Sequence, residues 1–250
     1  MTFTHSAPGY APTMSHRLAL GRRLWTAAQW PVGIGLTSWH YMWRTTPLHR
    51  SEGPGTVSDR PPPLPDRLCR HELQLPQDGV GPLYHRVYRV RIRDAGVSPE
   101  ALVARLGADL NCASPTELAR FFKTSGASRK LAVDDEFLVR MPGPWDGPVR
   151  VVEATPTSFR LVTLAGHLEA GQIEFRASKR DGELRFAIES WARSGDRLSN
   201  LLYHHLRMAK EVQFHMWRSF LERVAKLADG RITGGIEIVS RTLQVSDATA

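Results

Sequence analysis

Alternating hydrophobicity in a series of short segments, followed by one long segment of helical periodicity, limits the fold of this chain more than any other feature. Apolar and polar residues alternate over residues 84–93, 130–141, 149–154, 158–164, 172–178 and 184–192, as they do in half-buried strands. Turn residues such as Pro142-Gly143-Pro144 and Asp181-Gly182 separate these segments, so the connections are short. The sequence therefore predicts an antiparallel meander.

The predicted strands share one apolar face. Mostly apolar side chains recur at every second position in three sets: Phe159, Leu161 and Thr163; Ile173, Phe175 and Ala177; Leu184, Phe186 and Ile188. The first strand has a fourth set on one face: Tyr84, Arg86, Tyr88, Val90 and Ile92. Because strand side chains alternate between the two faces of a sheet, we expect all four sets to point toward one interior.

Helix signals lie between the first strand and the others. Ser98-Pro99-Glu100 combines an N-cap, a proline at the first helical position and an early acid, which predicts a helix over residues 99–110. Ser114-Pro115-Thr116-Glu117 reads as a capping box and predicts a second short helix through Phe122.

A long amphipathic helix is predicted over residues 196–228, ended by Asp229-Gly230. Its apolar stripe runs from Leu198 to Leu227 and includes His205. A second apolar set, Phe214, Trp217 and Leu221, lies on another face and needs a different cover, which residues 24–43 or a second subunit of a homodimer could supply. Residues 235–243 alternate again and predict an added edge strand.

The chain before this domain divides into three parts. Residues 1–15 predict a flexible tail, residues 16–45 an amphipathic, tryptophan-rich helical segment, and residues 46–80 a proline-rich connector that runs over the surface. The domain itself is expected over residues 81–245. Residues 16–45 have basic residues before an apolar run, as a signal peptide does, but no small-x-small cleavage site follows. We expect this segment to pack on the domain or, alternatively, to lie on a membrane surface.

Composition excludes several classes of protein. With 42% hydrophobic and 23% charged residues, the 250-residue chain is neither fibrous nor wholly disordered. Two cysteines, Cys69 and Cys112, are too few for a disulfide framework, so we expect a cytoplasmic, or membrane-peripheral, location. The net charge of +8 is arginine-rich, but nothing resembling a nucleic-acid-binding module accompanies it, and we expect no nucleic-acid partner.

The order of elements and one motif resemble a known family. Strand, short helices, antiparallel strands and a long C-terminal helix resemble the helix-grip fold of the START and Bet v 1-like (SRPBCC) superfamily. Residues 163–175, Thr-Leu-Ala-Gly-His-Leu-Glu-Ala-Gly-Gln-Ile-Glu-Phe, resemble the T-L-P-G-H-x-E-x-G-E-E signature of DUF1990, a bacterial and plant family of unknown function in that superfamily. The sequence departs from the signature at Ala165, Leu168, Gln172 and Ile173.

This resemblance covers residues 81–228, and it implies a fold rather than a reaction. The fold class that it implies is α+β, a curved antiparallel sheet around a long C-terminal helix, here with an N-terminal helical extension. The sheet and the helix of that fold enclose a cavity.

Three residues of the predicted domain are candidates for catalysis. His167 and Glu169 fall in a hairpin, where His167 is either a general acid or base oriented by Glu169 or a turn histidine that caps local carbonyls. His205 lies on the apolar stripe of the long helix and meets either a ligand or a hydrogen-bonding core partner.

Other residues are candidates for ligand binding. Arg86 shares the inward parity of its strand, so its guanidinium either points into the cavity or reaches solvent from the strand end. The expected lining of the cavity comprises Arg86, Tyr88, Trp145, Phe175, Phe186, Trp191 and Met208.

No metal site or cofactor is expected. His204, Glu211 and His215 share a helix flank, where Glu211 and His215, four residues apart, could present two metal ligands, but no third ligand for a complete metal site is identifiable. Neither glycine pair, Gly33-Ile34-Gly35 or Gly234-Gly235, has the context of a phosphate-binding loop.

The sequence therefore predicts a domain that binds a small hydrophobic or amphipathic molecule between sheet and helix. The alternative is a cofactor-independent cyclase, dehydratase or lyase acting on a hydrophobic, polyketide-like substrate in the same cavity, since a shaped pocket can direct a reactive substrate.

Overall fold

A computed structural model of the chain describes residues 46–68, 72–126, 130–141, 146–195 and 208–244. The predicted tail, the tryptophan-rich segment of residues 16–45 and residues 196–207 of the predicted long helix lie outside the described residues. Membrane contact through residues 16–45 therefore stays a prediction.

A single large sheet dominates the described part of the chain. Its nine strands are β1 (Leu48–Pro54), β2 (Val80–Arg93), β3 (Arg120–Ser125), β4 (Glu136–Arg140), β5 (Asp146–Ala154), β6 (Ser158–Thr163), β7 (Glu169–Arg180), β8 (Glu183–Ser194) and β9 (Arg231–Leu243). Their spatial order is β1-β9-β2-β8-β7-β6-β5-β4-β3. Neighbouring strands are antiparallel except β1 and β9, which are parallel.

Two α-helices accompany the sheet within the described residues: α1 (Pro99–Ala108) and α2 (Met208–Leu227). The Ser98 hydroxyl caps α1 by accepting a hydrogen bond from the backbone N–H of Ala101. The large, mostly antiparallel sheet and its C-terminal helix confirm the predicted α+β class at this level.

The hairpin between β7 and β8 shows why the meander forms. Asp181 and Gly182 have φ angles of 54° and 78°, the left-handed pair that a two-residue hairpin turn requires. From this turn the two strands pair without interruption back to Glu169 and Ser194. The predicted tight antiparallel connection is thus confirmed.

The predicted helix after Ser114 was wrong. The Ser114 hydroxyl donates a hydrogen bond to the Ala119 carbonyl instead of capping a helix. The Asn111 side chain bonds both the N–H and the carbonyl of Phe121, at 2.8 and 2.9 Å, and holds that backbone extended at the start of β3. The predicted edge position of β9 was also wrong, because β9 lies between β1 and β2.

The inner face of the sheet packs against α2 through aromatic rings. Phe175 stacks on Phe159 at 4.8 Å between ring centroids and contacts Trp217 and Phe220 of α2 at 5.7 and 5.5 Å. Phe214 and Trp217, predicted to need a separate cover, both contact the ring of Tyr88 on β2. The sheet therefore covers part of this second apolar face itself.

The outer face of the sheet is covered by the proline-rich connector. Leu68, Leu73 and Leu75 of the connector pack on Val152 and Val162. Arg193 donates hydrogen bonds to the carbonyls of Gly81 and Pro76, at 2.7 and 3.1 Å. The connector thus stabilises the sheet on the side opposite to α2. Its first part forms β1, a strand that the proline-rich composition did not predict.

His85 fastens the connector to the outer face. Its Nδ1 lies 2.9 Å from an Asp59 carboxylate oxygen of the connector, and its Nε2 lies 2.8 Å from Glu189 on β8. Burial alone lowers the pKa of His85, but the bonds to Glu189 and Asp59 outweigh it and the pKa is raised. This histidine therefore favours the imidazolium form between two carboxylates.

Candidate ligand-binding site

Side-chain size changes sharply along the inner face of the sheet. Toward one end, Phe159, Phe175, Phe186 and Ile188 fill the space below α2. Toward the other end, Tyr84 and Ile173 share this face with four small residues, Gly171, Ser190, Ala192 and Ser240. A polar region with small neighbours thus follows directly on a dense aromatic core.

Arg86 lies at this change in size. Its cross-strand neighbours are Ser190 on β8 and Ser240 on β9. Only 1% of Arg86 is exposed, so the guanidinium points inward, and the alternative of a strand-end arginine reaching solvent was wrong. The guanidinium carbon lies 4.5 Å from the centre of the Tyr84 ring, which favours a cation there.

Gln213 of α2 joins Arg86 to Glu169. Arg86 Nη1 donates to Gln213 Oε1 at 2.9 Å, and Gln213 Nε2 donates to Glu169 Oε1 at 3.1 Å. The amide is therefore oriented by a donor on one side and an acceptor on the other. We call these three side chains the Arg86–Gln213–Glu169 network.

The carboxyl group of Glu169 binds its proton more tightly than an ordinary glutamate does. Burial raises its pKa, and the nearby charge of Arg86 and the hydrogen bond from Gln213 offset this only in part. A partly buried carboxyl group, linked through Gln213 to a permanent cation, thus lies on the inner face of the sheet.

The turn before β7 explains why the carboxylate reaches the interior. Gly166 has a φ of 92°, which favours glycine. Gln74 of the connector bonds the turn at three points, accepting from the Gly166 N–H and donating to the carbonyls of His167 and Glu169. With the turn held in this way, the alternation of β7 points Glu169 to the same side as Phe175.

Gly171 brings β7 unusually close to β8. A Cβ atom at this position would lie 1.9 Å from the carbonyl oxygen of Trp191. The backbone N–H of Gly171 also donates to the Thr163 hydroxyl at 2.9 Å. The motif of residues 163–171 therefore forms a hydrogen-bonded turn that positions the carboxyl group of Glu169.

His167 belongs to this turn rather than to the network. The backbone N–H of Glu169 donates to its Nδ1 at 2.8 Å, so Nδ1 carries no proton and the neutral ring has its proton on Nε2. Burial lowers the pKa of His167 to about 4. The expected orientation of the ring by the Glu169 carboxylate was wrong, since the backbone of Glu169 makes this contact and its carboxylate bonds Gln213.

The aromatic candidates divide between the two faces. Tyr88, Phe175 and Phe186 lie in the interior, and Tyr88 lies nearest the network, two residues from Arg86. The prediction that Trp191 lines the cavity was wrong. This residue follows the parity of Glu189, lies on the outer face and packs with Leu83 and Leu243. Trp145, His205 and the side chain of Met208 lie outside the described residues.

Two glutamines of the site were missed from the sequence. Gln213 stands one helical turn before Trp217, so its position on the buried face was readable from periodicity. Gln74 lies in the connector, where no pattern indicated a contact with residues far along the chain.

Neither metal clusters nor membrane spans occur in the described ranges. No group of three or more His, Cys, Asp or Glu side chains there could hold a metal ion. No helix in the part of the chain that the structure describes has the length and hydrophobicity needed to cross a membrane.

The sequence profile of the family described as "Domain of unknown function (DUF1990)" matches residues 85–223, more than half of the chain. The chain belongs to this family. The DUF1990 region contains Arg86, Glu169 and Gln213, whereas β1 and β9 lie outside it. No curated protein is significantly similar to this chain.

Solved structures are similar to this DUF1990 protein at low identity. A conserved protein from Geobacillus kaustophilus is 12% identical over 59% of this chain and 98% of its own, with a TM-score of 0.42. Major latex-like protein 151 from Panax ginseng is 10% identical over 59% and 99%, with a TM-score of 0.41. The di-domain ARO/CYC StfQ of the steffimycin biosynthetic pathway is 8% identical over 62% and 52%, with a TM-score of 0.44. Similarity of this degree supports no argument about activity or ligand.

Proposed function

We propose that this protein binds a small amphipathic molecule between the sheet and α2, with the polar end of that molecule at the Arg86–Gln213–Glu169 network. The observation that carries the proposal is a buried arginine linked to a partly buried carboxyl group on the inner face, beside the small side chains of Ser190 and Ser240. Buried charges add little to stability even when paired, so a ligand is the better reason for them.

The neighbouring aromatic residues supply an apolar surface for the rest of the molecule. Tyr84 and Tyr88 flank Arg86 on β2, and Phe214 contacts the Tyr88 ring. Trp217 lies one turn after Gln213 and is only 7% exposed, yet its indole N–H has no hydrogen-bond partner among the residues described. A buried donor of this kind is suited to an oxygen acceptor on a ligand.

A neutral fluorescent probe tests occupancy of this space. N-phenyl-1-naphthylamine should bind the wild-type protein, and Ser190→Leu, which fills the space beside Arg86, should weaken binding at least about tenfold. Ser178→Leu, the same change on the outer face of the neighbouring strand, is the control and should bind as the wild type does. Ser240→Leu repeats the test from β9. Equal binding by all folded variants, checked by thermal unfolding, would contradict the proposal.

Proton transfer is the second candidate function, and the raised pKa of Glu169 favours it. In this proposal the protein is a cyclase, dehydratase or lyase for a hydrophobic, polyketide-like substrate. Glu169 moves the proton and Arg86 stabilises the developing negative charge. Glu169→Gln should then abolish turnover while substrate affinity stays within about tenfold of wild type. A binding protein without turnover would yield no product in either form.

A further inference from the structure

The charges of the network indicate what kind of polar group the ligand carries. Arg86 is cationic at every physiological pH, and a guanidinium presents five donors in a geometry that fits a carboxylate with two parallel bonds. The indole N–H of Trp217 adds another donor near Tyr88. The groups facing the site thus favour an acceptor, and most strongly an anionic one.

Glu169 opposes a second negative charge in the same place. Its carboxyl group is linked to Arg86 through a single intervening side chain, Gln213. A ligand carboxylate at Arg86 would therefore lie close to the Glu169 carboxylate in a buried environment. Two carboxylates in one buried site do not both stay ionised, and one of them takes up a proton.

Resting on the proposed function, we infer that the bound molecule is an amphipathic carboxylic acid and that Glu169 takes up one proton from solvent when the carboxylate binds. The ligand carboxylate stays ionised against Arg86, because a cation favours the charged form of its nearest acid. Glu169 becomes the neutral acid and keeps its bond from Gln213, since a protonated carboxyl group still accepts through its other oxygen.

The other titratable and charged groups around Glu169 are few within the described elements. From β2 the site is faced by Arg86 and Tyr84, and from the preceding turn by His167. The described part of α2 contributes the uncharged Gln213, and β8 contributes Ser190 and Ala192. His167 accepts the Glu169 backbone N–H and stays neutral, so it does not compete for the proton.

Calorimetry with a matched pair of probes tests this inference. The probes are 2-naphthoate and its neutral methyl ester, titrated into the full-length protein at pH 7 in buffers of different ionisation enthalpy. We expect the protein to take up between about half a proton and one proton for each molecule of 2-naphthoate that binds. Binding of the ester should cause no proton uptake. Above the pKa of Glu169, affinity for 2-naphthoate should fall about tenfold per pH unit.

Glu169→Gln supplies the control within the protein. This variant keeps a neutral acceptor at the same place, so 2-naphthoate should bind without proton uptake and with an affinity independent of pH from 6 to 9. Binding of both probes by the wild type without proton uptake would overturn the inference and leave the proposed function intact. Preference for the ester over 2-naphthoate would also overturn it. Failure of both probes to bind would count against the proposed function as well.

Discussion

His85 stacks on Trp191 on the outer face of the sheet, with ring centroids 5.2 Å apart and ring planes within 2° of parallel. The imidazole edge bonds two carboxylates, Asp59 and Glu189, while its face rests on the indole. An imidazolium held in this way is stabilised both by charge and by the aromatic surface. The connector is therefore attached to the sheet by a contact that depends on protonation.

This attachment should make stability depend on pH. Because the pKa of His85 is raised, its contribution is complete below its ordinary pKa of 6.5 and is lost as the pH rises through the folded value. Removing it leaves two carboxylates without their cation. We expect His85→Gln to lower the free energy of unfolding by about 3 kcal/mol at pH 6 and by much less at pH 9. Urea unfolding at both pH values measures the difference.

The exposed pair of Arg89 and Glu237 provides a control for this prediction. Their side chains are each 54% exposed, and Arg89 Nη1 lies 4.0 Å from Glu237 Oε1. Glu237→Gln should therefore change the free energy of unfolding by less than about 0.5 kcal/mol at either pH. A His85→Gln effect of equal size at pH 6 and pH 9 would show that packing on Trp191, and not charge, fastens the connector.

Gly171 should not tolerate a side chain. A methyl group there meets the Trp191 carbonyl, so β7 and β8 must separate beside the network. We expect Gly171→Ala to lower the free energy of unfolding by about 3 kcal/mol. At Gly53 the nearest atom to a new Cβ is Arg241 Nη1 at 3.4 Å, so Gly53→Ala is the matched control and should unfold nearly as the wild type does. Similar stability of the two variants would contradict this account of the motif.

How much of this arrangement the sequence predicts depends on the range of the contacts. Alternation placed Arg86 and Phe186 on the same inner face, because parity is a local property of a strand. The same alternation over residues 184–192 puts Trp191 on the outer face, so its position was also predictable from the sequence. The bonds of Gln74 and Asp59 depend on contacts between residues far apart in the chain, which no local pattern encodes.

The pKa values of two histidines of this protein should be shifted in opposite directions from the ordinary value. Burial lowers the pKa of His167 to about 4, whereas the pKa of His85 is raised above its ordinary value. A neutral His167 stabilises the folded state above pH 6.5, and this contribution is lost as the pH falls toward 4. Nuclear magnetic resonance titration of both rings measures the two values. Titration of His167 between pH 6 and 7 would contradict its assignment to the turn and restore it as a candidate acid or base.

Gln213 should contribute more to stability than its polar character suggests. Gln213→Leu preserves much of the side-chain volume but removes a hydrogen bond from the buried guanidinium of Arg86 and another from the partly buried carboxyl group of Glu169. We expect the free energy of unfolding to fall by about 2 kcal/mol. Lys226→Leu, at an exposed position of α2, should change it by less than about 0.5 kcal/mol. In a double-mutant cycle, Gln213→Leu and Arg86→Met should be coupled by at least about 0.5 kcal/mol, and strict additivity would show that the two side chains act independently.

A crystal structure of the protein with bound 2-naphthoate tests the central claim most directly. We predict that a carboxylate oxygen lies about 3 Å from a guanidinium nitrogen of Arg86, with the naphthalene ring between the sheet and α2. A structure in which protein side chains fill the space beside Arg86 and the probe binds elsewhere would contradict it.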